Sequence, residues 1–100
     1  MTRSRVIRVS DQQLQVSGVI TFDNALDMRQ QGECLISKAA EHCEIDFSQV
    51  TRAGSAALTL LFSWLRHSAN LQKTLVFTNL PDDLLGVAQV SGVDQILPLK

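Results

Sequence analysis

The sequence predicts an α/β fold, a single domain with a mixed β-sheet and helices packed on it in the order ββαβαβαβ. Three observations point there. Two short strand-like segments open the chain as a hairpin. After them, helical spacing of apolar residues alternates with short apolar runs, which implies parallel crossovers and hence a mixed sheet. The third is composition: 45% hydrophobic and 19% charged residues over 100 positions suit one folded core and exclude intrinsic disorder.

The elements follow in order. Val6-Ile7-Arg8-Val9 reads as the first strand and Asp11-Gln12-Gln13 as a polar turn. Leu14, Val16 and Gly18 alternate with Gln15 and Ser17 and run on into Val19-Ile20, giving a second strand antiparallel to the first. Thr21-Phe22-Asp23-Asn24 closes it and offers caps for a helix. Between residues 24 and 40, Ala25, Met28, Gly32, Leu35, Ile36 and Ala39 share one helical face. Gly32 inside that helix costs stability, which implies close packing, expected against the sheet.

Residues 43–47 read as a buried strand, 48–54 as a short loop, and 55–70 as the strongest helix. Residues 73–78 form another strand. Pro81 suits the first turn of a helix reaching Val90, because its fixed φ is already helical. Gly92 suits the reversal after it, and residues 93–97 make a short final strand or extended tail.

Charge and motif content narrow the function. A net charge of -1 gives no footprint for nucleic acid, and Arg3, Arg5 and Arg8 read as a solvated edge. No window approaches the roughly 18 consecutive apolar residues of a membrane span, and the start lacks the apolar core of a signal peptide. A cytoplasmic protein without direct membrane insertion is therefore expected. Cys34 and Cys43 fit no metal or redox pattern and read as a buried, reduced pair. His42 and His67 lie in different elements and read as solvated residues, so neither a metal nor a cofactor is expected. There is no phosphate-cradling glycine loop, and Ser55 has no nucleophile elbow around it. Asp82 and Asp83 follow Pro81 at a helix start, where the dipole favours acids. The expectation is a partner-binding domain with no catalytic residues.

At about 100° per residue, Leu58, Leu61, Phe62, Leu65 and Ala69 form the core stripe of the helix from Ser55. Leu60 and Trp64 then fall off that stripe, with Ala56, Thr59, Ser63 and His67 around the outer side. An apolar pair off the core, one of them Trp, is either covered by a neighbouring element or serves as a docking patch. Ser55 can cap the helix, and a phosphate on it would sit at the positive end of the helix dipole.

The run Ile45-Asp46-Phe47-Ser48-Gln49-Val50-Thr51-Arg52-Ala53-Gly54-Ser55-Ala56-Ala57-Leu58 resembles the central motif of STAS domains, the sulfate-transporter and anti-sigma-factor-antagonist family. In that motif a strand ending in Asp-hydrophobic-Ser leads through a valine loop to a helix start. Leu14-Gln15-Val16-Ser17-Gly18 is similar to the family's early strand, and Val90-Ser91-Gly92-Val93 to its last helix and turn. The resemblance therefore spans residues 1–100 as a single STAS domain. Within the family, Val50-Thr51-Arg52 is similar to the loop of MlaB-type subunits of Mla phospholipid ABC transporters.

That resemblance implies a non-enzymatic subunit that binds an MlaF-like ATPase and supports the transporter in maintaining outer-membrane lipid asymmetry. It would contact a membrane permease indirectly and lie peripheral to the inner membrane through its partner. The implied partner-binding residues are Thr51, Arg52, Ser55, Ala56, Thr59, Leu60, Ser63, Trp64 and His67. The alternative is an anti-sigma factor antagonist with Ser55 as phospho-acceptor. Three departures favour the transporter subunit. Gly54 replaces the usual acid before the phospho-acceptor, Ala56-Ala57 replace a Ser/Gly-Gly pair, and Thr21 stands where antagonists carry an acid.

Overall fold

Two strands, β1 (Arg5–Ser10) and β2 (Gln13–Val19), pair antiparallel in the register Val6↔Val16 and Arg8↔Leu14. The chain then crosses through α1 (Ala25–Lys38) to β3 (His42–Arg52), through α2 (Gly54–Asn70) to β4 (Thr74–Thr78), and ends with α3 (Asp82–Val90). β3 runs parallel to both β2 and β4, and the sheet order is β1-β2-β3-β4. This computed structural model describes residues 4–100, so Arg3 lies outside the described residues.

One face of the sheet is apolar. Val6, Leu14, Val16, Ile45, Phe47, Leu75 and Phe77 are buried there, while Gln13, Gln15, Glu44, Thr74 and Thr78 on the other face keep contact with solvent. Period-two alternation in a strand puts neighbours on opposite faces, so the helices cover one side only. α2 packs against both α1 and α3.

The final strand expected over residues 93–97 is not there. Those residues form turns, and extended pairing is limited to one bridge, Phe77↔Leu99, held by Phe77 N–H donating to Pro98 O at 2.8 Å. The order is thus ββαβαβα. Strand β3 is longer than expected and takes in most of the supposed loop. Its second half follows β2 with register shifts, and Ser48 and Gln49 are both exposed. A bulged strand breaks the alternation by which strands are recognised. Pro81 sits one position before α3, as its cap. Cys34 is exposed rather than buried; Cys43 is buried, and that burial pushes its thiol pKa up.

The largest difference concerns α2. Leu60 and Trp64, expected off the core, are 2% and 0% exposed, and Ala56 is buried with them. Phe62, expected in the core, is exposed, as is Ala69, while Leu58 and Leu65 are only half-buried. The buried arc is turned by roughly 100°, one residue's rotation. The reason is the position of α2 between two other helices. Its small residues, Ala56 and Ala57, are sunk in the core, and Trp64 fills a notch in α1.

That notch is Gly32. A Cβ built there would lie 2.3 Å from Trp64 Nε1 and 2.4 Å from Cε2. The close packing implied by this glycine is therefore against α2 and not against the sheet. Trp64 Nε1 donates to the Arg29 carbonyl at 3.2 Å, so the buried indole keeps its hydrogen bond. Beneath it Phe47 lies tilted at 6.4 Å, and Phe47 meets Phe77 edge-on at 6.0 Å. The other end of α1 is closed by Lys73, whose ammonium donates to the carbonyls of Ile36, Ser37 and Ala39 at 2.8, 2.9 and 2.8 Å. All three donors are used, and a cation at a helix C-terminus is favoured by the dipole.

Two glycines in helices should respond oppositely to alanine. Gly32→Ala should destabilise the fold by about 2 kcal/mol, because overpacking against a fixed indole outweighs the gain in helix propensity. Gly86 has nothing within 4 Å of a Cβ, so Gly86→Ala should stabilise by about 0.5–1 kcal/mol. Urea midpoints of the two variants check both signs.

Candidate docking site

The C-terminal ends of β2 and β3 meet beyond the end of β4, whose last residue, Thr78, pairs with Asp46, and the candidate site is built there. Ile20 N–H donates to Arg52 O at 2.8 Å, which ties the end of β2 to the end of β3. The turn into α1 closes on itself. Thr21 N–H donates to Asn24 Oδ1 at 2.9 Å, Asn24 N–H donates to Thr21 Oγ1 at 3.3 Å, and Asn24 Nδ2 donates to Val19 O at 2.9 Å. Thr21 thus has a structural role in that turn.

Below the edge lies Asp46, a carboxylate 8% exposed in the middle of β3. It accepts from Ser48 N–H at 2.9 Å, Ser48 Oγ at 2.8 Å and Asn79 Nδ2 at 2.9 Å, with Gln15 Nε2 at 3.5 Å. One side chain therefore joins β2, β3 and the turn after β4. Burial alone would push its pKa up; the bonds from Asn79, Ser48 and Gln15 outweigh burial and hold it below the usual carboxylate range.

From Arg52 the chain enters α2 through Ala53 and Gly54. Gly54 has φ +61, in the left-handed region that favours glycine. No side chain of α2 caps its own start. The N–H groups of Ala53 and Gly54 instead donate to Asp83 Oδ2, at 2.9 and 3.1 Å, from the first turn of α3. Ser55 is exposed inside the first turn, and among the described residues its hydroxyl has no hydrogen-bond partner. It is not the cap.

The expected site residues divide in three. Thr51, Arg52, Ser55 and Thr59 are exposed and follow one another from the strand end onto the outer side of α2. Ser63 and His67 are half-buried and line a shallow groove of about 260 Å³ with Arg29, Glu33, Arg66 and Asn70. His67 Nε2 shares a hydrogen bond with Ser37 Oγ at 2.9 Å. Ala56, Leu60 and Trp64 belong to the core and present nothing to a partner. Two residues beside this surface were not among those expected. Phe62, 37% exposed, lies on the outer side with Ser55 and Thr59, at i+7 and i+3. Asp83 was visible only as an acid at a helix start. No helix among the described residues is long and apolar enough to cross a membrane.

Comparison with known proteins decides the family. The sequence model of the family described as "Mlab, STAS domain" matches residues 5–98. The chain belongs to the STAS domain family, MlaB type. No curated protein matches it. Solved structures share this STAS fold at low identity. SpoIIAA, an anti-sigma factor antagonist in its unphosphorylated form, is 13% identical with a TM-score of 0.71, over 98% of this chain and 88% of that one. An anti-sigma factor antagonist from Mycobacterium paratuberculosis is 19% identical with a TM-score of 0.71, over 97% and 83%. Both show the fold and no more.

The depressed Asp46 pKa has a consequence for acid stability. Its folded pKa lies below its unfolded value near 4, so its contribution is complete above about pH 4 and is lost as pH falls through the folded pKa. Asp46→Asn should lower stability at pH 7 and flatten the loss below about pH 4. Thermal midpoints of both proteins across that range check it; parallel curves would show that Asp46 carries none of the acid sensitivity.

Proposed function

We propose that this STAS domain is a non-enzymatic docking subunit that binds the MlaF-like ATPase of an Mla-type phospholipid ABC transporter. The docking surface runs from Thr51, Arg52 and Ser55 along Thr59, Phe62 and Ser63 to His67. Through that ATPase the domain would lie at the cytoplasmic side of the inner membrane, touch the permease only indirectly, and support outer-membrane lipid asymmetry.

The observation that carries this reading is the chemistry of the α2 start. Ser55 is exposed with a hydroxyl that has no partner among the described residues, and the neighbouring N–H groups already hold the Asp83 carboxylate. Such a surface is complete as it stands for hydrogen bonding to a protein partner. A phosphate added to Ser55 would follow directly after two amides that already hold a carboxylate, and like charges repel. The MlaB-type family match supports the same reading.

Affinity capture of the MlaF-like ATPase of the same organism tests it. Ser55→Arg and Thr59→Arg should each weaken capture about tenfold or more while leaving the thermal midpoint within a few degrees, since both residues are exposed. Full capture by both variants would contradict the proposed surface. Trp64→Ala is not a usable probe, because it empties the core. The alternative, an anti-sigma factor antagonist, predicts a mass gain at Ser55 with a partner kinase.

A further inference from the structure

The bonds from Ala53 and Gly54 to Asp83 lead beyond the docking surface itself. Two successive N–H groups converge on one oxygen, Asp83 Oδ2. They do so because Ala53 (φ -137, ψ -62) is followed by a left-handed Gly54 (φ +61). Consecutive amides that turn inward in this way form a small anion-binding concavity. Space does not demand this glycine, since a Cβ there would meet nothing within 4 Å; backbone conformation does. The segment 53–54 is therefore an unusual backbone shape with a single side chain from another element seated in it. That side chain is also anchored at its own end, where Asp83 Oδ1 accepts Leu84 N–H at 2.9 Å, and Leu84 is wholly buried in the core.

We propose that Asp83 is the positioning residue of the docking surface: its carboxylate fixes the start of α2 from α3 and so sets the direction in which Ser55 is presented. Arg52 and Ser55 sit on either side of the two amides that Asp83 holds. Without it, two N–H groups at a helix start lose their acceptor, and a left-handed glycine is free to take other conformations. The neighbouring Asp82 is exposed and receives no side-chain hydrogen bond among the described residues, so it separates the effect of position from that of charge. The docking half of this inference rests on the partner reading above; the ordering half does not.

The experiment uses the intact domain with Asp83→Ala, Asp83→Asn and Asp82→Asn. Amide hydrogen exchange at Ala53 and Gly54 is followed by NMR, and affinity for the MlaF-like ATPase is measured alongside. Asp83→Ala should speed exchange at both amides by about fivefold, the usual worth of a helix cap, while amides of β3 keep their wild-type rates. Affinity should fall by a similar factor. Asp83→Asn, whose amide oxygen accepts the same two bonds, should recover most of both, and Asp82→Asn should change neither. Unchanged exchange at Ala53 and Gly54 in Asp83→Ala would overturn the proposal. So would faster exchange with wild-type affinity, or an Asp82→Asn effect as large as that of Asp83→Ala. If the wild-type domain captures no ATPase, the partner reading fails alone, and the exchange arm decides whether Asp83 orders the α2 start.

Discussion

The seating of Trp64 on Gly32 sets the rotation of α2, and the rotation of α2 decides which residues a partner can meet. The indole lies closer to the α1 backbone than any side chain other than glycine permits, and its N–H is bonded to the Arg29 carbonyl. Phe47 and Phe77 continue the aromatic contact down into the sheet. Turn α2 by one residue and the indole would leave this notch and its hydrogen bond would be lost. Fixing α2 in this way brings Ser55, Thr59 and Phe62 to the outer side together.

A second set of contacts fixes where α2 begins. Asp46 gathers β2, β3 and the turn after β4 under the sheet edge, and Asp83 reaches across from α3 to the first amides of α2. Both are carboxylates that accept backbone or amide N–H groups, and charge-assisted bonds of this kind are the stronger class. The helix start itself is built from two separate parts of the chain, residues 53–54 and Asp83. In this way the amides at a helix start whose cap, Ala53, makes no side-chain hydrogen bond of its own still find an acceptor.

Much of the fold was legible in the sequence, because hydrophobic period and turn residues are local. The hairpin, α1 with its Met28, Gly32 and Ile36 face, and the parallel crossovers all follow from such patterns. The end of β3 was not legible, since register shifts opposite β2 break the alternation that marks a strand. The rotation of α2 was not legible either. Spacing alone selects the most apolar arc, Leu58, Phe62 and Leu65, whereas the arc buried between two helices is the one with Ala56, Ala57 and Trp64. Gly32 was the available signal: a glycine inside a helix implies a close neighbour, but not which one. Of the site, Thr51, Arg52, Ser55 and Thr59 were found at the surface as expected. Asp83 was hidden because its partners lie about thirty residues away in sequence.

The orientation of α2 depends on Trp64 facing inward, and the composition makes that directly measurable. The chain contains one Trp and no Tyr, so its fluorescence reports this single side chain. In the isolated domain the emission should be blue-shifted and resistant to acrylamide quenching, becoming red-shifted and quenchable only on unfolding. Emission at the wavelength of solvated indole, quenched freely in the folded domain, would place Trp64 on the surface and contradict the orientation of α2.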